Sequence, residues 1–152
     1  MAYDSYAVAA AIAVRFSAAN VTQPTGYEDI KVSTAELPEA INVFPTVLVG
    51  HPSMSDATYA GGKRSFPLTY PVTLYLARHD GSPRRAHLLH DWVTATYGQM
   101  AGQLQLGLST YVAWAEVASW RAGVVPYMGE EYDGIRYDVM VHINEVHTGV
   151  AA

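Results

Sequence analysis

The feature that most constrains this chain is an unbroken alternation of apolar and polar side chains over residues 65–76. A period of two is typical of a β-strand with one buried face. Pro67 and Pro71 lie four residues apart, so they share one side of the strand, where neither can donate a backbone hydrogen bond. The sequence therefore predicts a long edge strand with one side unpaired along at least its first half. Its inward-facing set is Phe66, Leu68, Tyr70, Val72, Leu74 and Leu76.

The C-terminal third of the chain predicts a second pair of long strands. Residues 135–144 alternate as cleanly as residues 65–76, and residues 110–125 form a strand whose alternation loses phase near 118–123. A loss of phase of this kind indicates a β-bulge. Residues 126–134 contain proline and glycine, so we expect a turn there and an antiparallel hairpin around it.

Two shorter strands and two helices complete the prediction. Residues 30–34 alternate, whereas residues 46–50 are continuously apolar and so predict a strand buried on both faces. Asp4 or Ser5 is expected to cap a first helix that ends near Asn20. Ser82 and Pro83 indicate the start of a second helix, which runs to about Met100.

The order of these elements predicts an α+β fold in one domain spanning residues 1–152. We expect a mainly antiparallel or mixed sheet of about five strands, with two main helices packed on one face. The tail from about residue 148 is expected to fray. The predicted core consists of Ile12, Phe16, Val47, Leu68, Val72, Leu74, Leu88, Trp92, Val139 and Val141.

Composition excludes several classes of protein. The absence of cysteine rules out a disulfide scaffold and a thiolate metal site. The net charge is −5 and the basic residues are scattered, so no basic stripe for nucleic acid is present. No apolar run reaches the ~18 residues of a membrane span. The apolar segment 7–14 follows Asp4 and precedes Arg15, which is the wrong charge order for a secretory signal.

Candidate chemical sites are sparse. His87 and His90 have the i, i+3 spacing of metal ligands on a helix, with Asp91 beside them, but no further ligand completes a zinc site. The carboxylates of Glu130, Glu131 and Asp133 are expected to be solvated in the last turn. The sequence also lacks nucleophile-elbow, phosphate-loop and dinucleotide motifs. We therefore predict no catalytic residue, no cofactor and no stoichiometric metal.

The order of several segments resembles the tail terminator, or tail completion, proteins of long-tailed bacteriophages, especially those of actinobacterial hosts. The resemblance covers residues 6–146. It is carried by Ala13-Val14-Arg15-Phe16, Leu37-Pro38-Glu39-Ala40, Phe44-Pro45-Thr46-Val47-Leu48-Val49, Phe66-Pro67-Leu68, Trp120-Arg121-Ala122-Gly123, Tyr127-Met128-Gly129 and Tyr132-Asp133-Gly134-Ile135.

This resemblance implies a structural virion protein without enzymatic activity or cofactor. Such proteins form a homohexameric ring on the tail tube, stop tube growth and present a surface to the head-completion connector. DNA passes through the ring, and an acidic ring would not bind this DNA tightly. Such a protein is assembled in the host cytoplasm and resides in the phage tail or neck.

A set of subunit contacts follows from the predicted edge strand. Residues 51–63 read as a long loop, and long loops are often functional. Because an exposed strand edge can accept another chain, we expect the loop and the strand that follows it to contact a neighbouring subunit. The predicted contact residues are Tyr59, Lys63, Arg64, Pro67, Pro71, Glu130, Glu131 and Asp133.

Two alternatives remain open at this stage. The chain could be another small neck or minor tail protein, such as a stopper, whose composition would not distinguish it from a terminator. It could also be an enzyme or ligand-binding domain that uses His87, His90 and Asp91. The mass of the protein in solution would help to separate these classes, since a terminator should reach a hexamer on its tube.

Overall fold

The computed structural model describes residues 3–54, 57–61, 63–81 and 85–146. Two helices and seven strands follow one another within these ranges. Neither of the described helices has the length and apolar character needed to cross a membrane. The predictions for Ser82, Pro83 and the tail from residue 148 lie outside the described residues.

The first helix, α1, spans Ser5–Arg15. Asp4 is its N-cap, as predicted, and its carboxylate accepts a hydrogen bond from the Ala7 backbone N–H at 3.1 Å. The helix ends at Arg15, before the predicted end at Asn20. The Val14 carbonyl accepts hydrogen bonds from the Ser17 hydroxyl at 2.7 Å and from the Asn20 side-chain amide at 2.8 Å, so both residues satisfy the end of the helix from outside it.

All seven strands belong to one mixed sheet. Along the chain the strands are β1 (Val32–Thr34), β2 (Thr46–Val49), β3 (Ser53–Met54), β4 (Thr58–Ala60), β5 (Lys63–Arg78), β6 (Val112–Tyr127) and β7 (Glu130–Val146). Five of them lie in the order β1-β2-β5-β7-β6, and β3 and β4 also pair with β5. The β1–β2 pair is parallel and the other pairs are antiparallel. The predicted α+β class is confirmed, with more strands than the expected five.

The strand predicted from the alternation at residues 65–76 is β5, but it lies inside the sheet and not at an edge. β7 pairs along one side of β5 from Lys63 to Arg78. The other side is shared in turn by β4, β3 and β2. The prediction of an unpaired side is therefore wrong.

The two prolines of β5 fall at the gaps between these successive partners. Pro67 lies between the residues that pair with β4 and those that pair with β3, and Pro71 lies between β3 and β2. Proline has no N–H to donate, so each interrupts the ladder on that side. Pro71 still accepts a hydrogen bond from the Gly50 N–H at 2.7 Å. The prolines thus divide the pairing among three short strands without abolishing it.

The structure also corrects the prediction for residues 51–63. They were expected to form a long loop, but they contain β3 and β4, which lie against β5. Both strands are too short to show a period in the sequence, and they are surrounded by the turn-forming residues on which the loop prediction was based.

The two helices cover the same face of the sheet. α1 packs against β1 and β2, whereas the second helix, α2 (Arg85–Met100), packs against β6 and β7. Nine of the ten predicted core residues are buried. The exception, Leu88, is half-buried and packs against the same core. The inward face of α2 was therefore predicted correctly.

The opposite face of the sheet has a smaller apolar cluster near the turn between β6 and β7. Ile41 and Phe44, from the chain before β2, pack there against Tyr75 and Tyr132. The Tyr127 hydroxyl donates to the Pro38 carbonyl and holds the same segment to β6.

Tyr137 gives the helix-covered core a measurable pH dependence. It is buried, and its hydroxyl lies 2.7 Å from Thr96 Oγ1. Burial raises the pKa of Tyr137 to about 12. Because unfolded tyrosine ionises near pH 10, this residue contributes full stability below pH 10, and that contribution is lost as the pH rises toward 12.

We expect Tyr137→Phe to reduce the alkaline loss of stability. Between pH 9 and 11 the variant should lose about 1 kcal/mol less than the wild type, measured by urea unfolding. The other tyrosines provide a common background in both proteins. Equal losses in the two proteins would show that Tyr137 is not protected from ionisation.

Candidate functional site

The predicted contact residues lie in two separate groups. Lys63 and Arg64 stand at the start of β5, where Arg64 pairs with Tyr59 of β4. Glu130 and Glu131 stand at the start of β7, beside the end of β5. The length of β5 separates the groups, and at about 3.3 Å per residue this is roughly 50 Å. The structure does not bring them together within one chain, and a contact between chains stays a prediction.

Arg64 already has partners within its own chain. Its guanidinium lies 4.7 Å from the centre of the Phe66 ring, and its Nη2 lies 3.6 Å from Met54 Sδ. Pro67 and Pro71 are half-buried on the face of β5 opposite the helices. Neither proline lies at a sheet edge, so the argument that assigned them to a subunit contact no longer applies.

The turn between β6 and β7 is shorter than predicted. It consists of Met128 and Gly129, which have positive φ angles of 49° and 82°. Such two-residue turns match the twist of antiparallel strands. Residues 130–134 are therefore part of β7, in which Glu130 and Glu131 are exposed and the next three residues are buried.

Asp133 is consequently buried and not solvated as expected. Its Oδ1 lies 2.8 Å from His79 Nδ1, and the His79 backbone N–H donates to the Glu131 carbonyl at 3.0 Å. On the exposed side, Arg78 forms an ion pair with Glu130 at 3.4 Å. These contacts join the end of β5 to the start of β7, which indicates a structural role for Asp133.

We expect Asp133→Ala to lower the free energy of unfolding by about 2 kcal/mol, because it removes a buried hydrogen-bonding group. Asp133→Asn is the matched control, since it keeps the shape and one oxygen acceptor and should cost less. Urea unfolding at pH 7 measures both. A loss for Asp133→Ala below about 0.5 kcal/mol would contradict a structural role for the carboxylate.

The candidate metal site on α2 does not converge. His87, His90 and Asp91 are exposed, and the Asp91 carboxylate accepts a hydrogen bond from the Tyr27 hydroxyl at 2.6 Å. This hydrogen bond to the carboxylate raises the pKa of Tyr27. Within residues 3–54, 57–61, 63–81 and 85–146, no group of three or more His, Cys, Asp or Glu side chains could hold a metal ion.

A surface that the sequence reasoning missed lies along β6, the strand at one edge of the sheet. Trp120 and Tyr97 remain 43% and 64% exposed, and both line a shallow apolar cavity with Met100 and Val117. The signal was the loss of alternation near residue 118, which coincides with a register shift between Val117 and Ser119. It correctly indicated the bulge, but it did not indicate that β6 has an open side.

Two arginines lie on the other face of the same edge. Arg121 of β6 is directly opposite Arg136 of β7. Ser119 and Asp138 line the same depression, and the Arg136 Nε lies 3.6 Å from Asp138 Oδ1. This edge therefore has an aromatic pair on the helix-covered face and two arginines on the opposite face, and these residue types are enriched in surfaces that bind another protein.

Comparison with known proteins adds no assignment. No family model matches the chain, and no curated protein matches it. The arrangement of exposed side chains is therefore the observation that bears on function.

Proposed function

We propose that this chain is a structural protein of a bacteriophage tail. In this proposal it forms a homohexameric ring that caps the tail tube, ends tube polymerisation and joins the tail to the head-completion connector. It would be assembled in the bacterial host and would reside in the tail or neck of the virion. The observation that carries the proposal is the position of the exposed large apolar side chains. All but Met54 of β3 belong to two sets, one in α1, β1 and the chain after β1, the other in α2, β6 and the turn that follows it.

Each edge exposes a different apolar set. Around β1 the exposed side chains are Tyr6, Val14, Val32, Leu37 and Val43. Around β6 they are Tyr97, Trp120, Val124 and Met128. Concentrations of exposed apolar side chains mark sites of association. Two unlike surfaces at opposite edges favour head-to-tail contacts, which produce a ring when the rotation closes.

The segments that carry the family resemblance occupy positions consistent with this proposal. Residues 44–49 lead into the buried strand β2, residues 120–123 lie in the edge strand β6, and residues 127–129 end β6 and form its turn. They thus contribute both to the rigid sheet and to its exposed edge.

The overall charge supports passage of DNA without specific binding. The chain carries a net charge of −5, and a lumen without a basic stripe would not retain phosphates. We expect dissociation constants for duplex DNA weaker than about 10⁻⁴ M at physiological salt, measured by fluorescence anisotropy. Micromolar binding under these conditions would contradict this part of the proposal.

Electron microscopy of tail tubes tests the proposed function. Tubes assembled from the tube protein of the same phage should stop growing when this protein is added, and they should show an additional ring at one end. A stopper would instead leave bare tubes unchanged and bind only tubes that already carry their terminator. Continued growth without ring density would contradict the proposal of a terminator.

A further inference from the structure

We propose that the outer side of β6 in one copy binds the acidic segment of residues 28–43 in a second copy. In this interface Arg121 and Arg136 face Glu36 and Glu39 of the neighbour. The inference deepens the proposed function and rests on it for its biological setting, but the contact itself can be measured without tail tubes.

The first argument is the open edge of β6. Its outer side is bridged at Glu116 by Gln103, and the Leu104 N–H donates to the Ala115 carbonyl at 2.7 Å. Beyond Glu116, no strand of the described chain pairs with that side. Arg121 is the one charged residue between positions 117 and 127. Edge strands are normally protected by charges, bulges or prolines, and β6 has Arg121, the bulge at residues 117–119 and Pro126. Between the bulge and Pro126 no described strand covers the outer side, so this stretch can still accept a partner.

The second argument is the aromatic surface next to this edge. Trp120 and Tyr97 are exposed side by side at the cavity formed by α2 and β6, and Val124 is 48% exposed farther along the strand. Tryptophan and tyrosine contribute strongly to binding when a partner removes them from water. An aliphatic side chain of the partner could fill the cavity between the two rings.

The third argument is the arginine pair. Like charges directly opposite each other destabilise an antiparallel pair of strands. Arg136 has Asp138 nearby, but no described carboxylate lies within ion-pair distance of Arg121. A carboxylate from outside the chain would relieve the repulsion and could accept paired hydrogen bonds from a guanidinium.

The complementary surface is present on the same chain, in the segment that passes through β1 at the opposite edge and then runs on toward β2, with its Pro38 carbonyl bonded to Tyr127 of β6. Residues 28–43 contain four acidic residues, Glu28, Asp29, Glu36 and Glu39, and one basic residue, Lys31. Lys31 pairs with Asp29 at 3.0 Å, so the rest of the segment is acidic.

Apolar side chains accompany these acidic groups. Leu37 and Val43 are 40% and 49% exposed, and they could pack against the aromatic surface of a neighbour. Because the basic aromatic edge and the acidic aliphatic segment belong to one chain, a second copy is an occupant with both the opposite charge and the apolar side chains that the edge requires. A dimer formed by this contact still has one unused β6 edge and one unused acidic segment. Further copies can therefore add until a ring closes or a filament forms.

Sedimentation velocity on the full chain tests this interface, from about 10 μM to about 1 mM. The wild type should associate beyond a dimer. Arg121→Glu and the double variant Glu36→Arg/Glu39→Arg should each weaken association by about tenfold or more. Arg121→Glu places a negative charge opposite Arg136 of β7, so this substitution should not harm folding. Circular dichroism of the variant checks that it is folded.

Charge reversal makes the test specific. A chain that carries all three substitutions should regain association, and so should an equimolar mixture of the two separate variants, whose copies can alternate. Arg85→Glu is the matched control, since it makes the same change in charge at the first residue of α2, about 18 Å along the helix from Tyr97, and should leave association unchanged.

Three results would overturn the inference: a wild type that stays monomeric at about 1 mM, an Arg121→Glu variant that associates like the wild type, or dissociation caused by Arg85→Glu alone. The tail-tube experiment separates this inference from the proposed function. Rescued association without tube capping would support the interface and contradict the terminator role. Undiminished capping by Arg121→Glu would support the role and contradict the interface.

Discussion

Replacing Trp92 with alanine should lower the free energy of unfolding by about 3–5 kcal/mol. Trp92 is 1% exposed and belongs to the main apolar core between α2 and the sheet. Truncation removes the whole indole and leaves a cavity that the sheet cannot close, because β7 is held by pairing with strands on both sides. Of the changes considered, this one should have the largest effect.

Urea unfolding at pH 7 measures this loss. Trp92→Phe is the matched control, since it keeps an aromatic ring in the cavity and should cost clearly less than alanine. A loss below about 1 kcal/mol for Trp92→Ala would contradict the buried position of this side chain.

Replacing Gly134 with alanine should cost about 3 kcal/mol, although alanine is a small residue. A Cβ at this position would lie 2.3 Å from the Leu74 carbonyl oxygen and 3.0 Å from Val125 Cγ2. The carbonyl belongs to the backbone of the central strand β5, so it cannot move away without disturbing the ladder. The close approach occurs next to the register shift between Tyr75 and Ala77.

Gly98→Ala provides the opposite control. Gly98 lies in α2 and has open space around its Cα, so alanine should stabilise the helix by about 0.5–1 kcal/mol. Opposite signs for the two glycine variants in the same unfolding assay are the expected result. Equal effects would mean that the contact with the Leu74 carbonyl does not limit position 134.

The sequence predicted the features that depend on local periodicity. The alternation in residues 65–76 and 135–144 identified the long strands and their inward faces, because side chains in a strand alternate between faces whatever the neighbours are. The cap of α1 was narrowed to Asp4 or Ser5 because capping contacts are local, and the structure shows that Asp4 is the cap. The buried face of α2 followed from the spacing of Trp92 and its apolar neighbours.

Asp133 shows where local reasoning about a site fails. Its neighbours Gly129 and Gly134 suggested a solvated turn, but the turn contains only two residues and β7 directs Asp133 toward His79. The partner lies 54 positions away along the chain, and no local pattern predicts that distance.

The position of each strand in the sheet was decided only by the tertiary structure. Alternation shows which face of a strand is buried, but it carries no information about which strand lies beside it, since those hydrogen bonds are made by backbone groups common to all residues. Pro67 and Pro71 exclude donors at two points, and three short partners fit around them on β5. The open edge belongs instead to β6, the strand that contains Trp120 and Arg121. Because β6 pairs with β7 on one side, its other side remains available for contact.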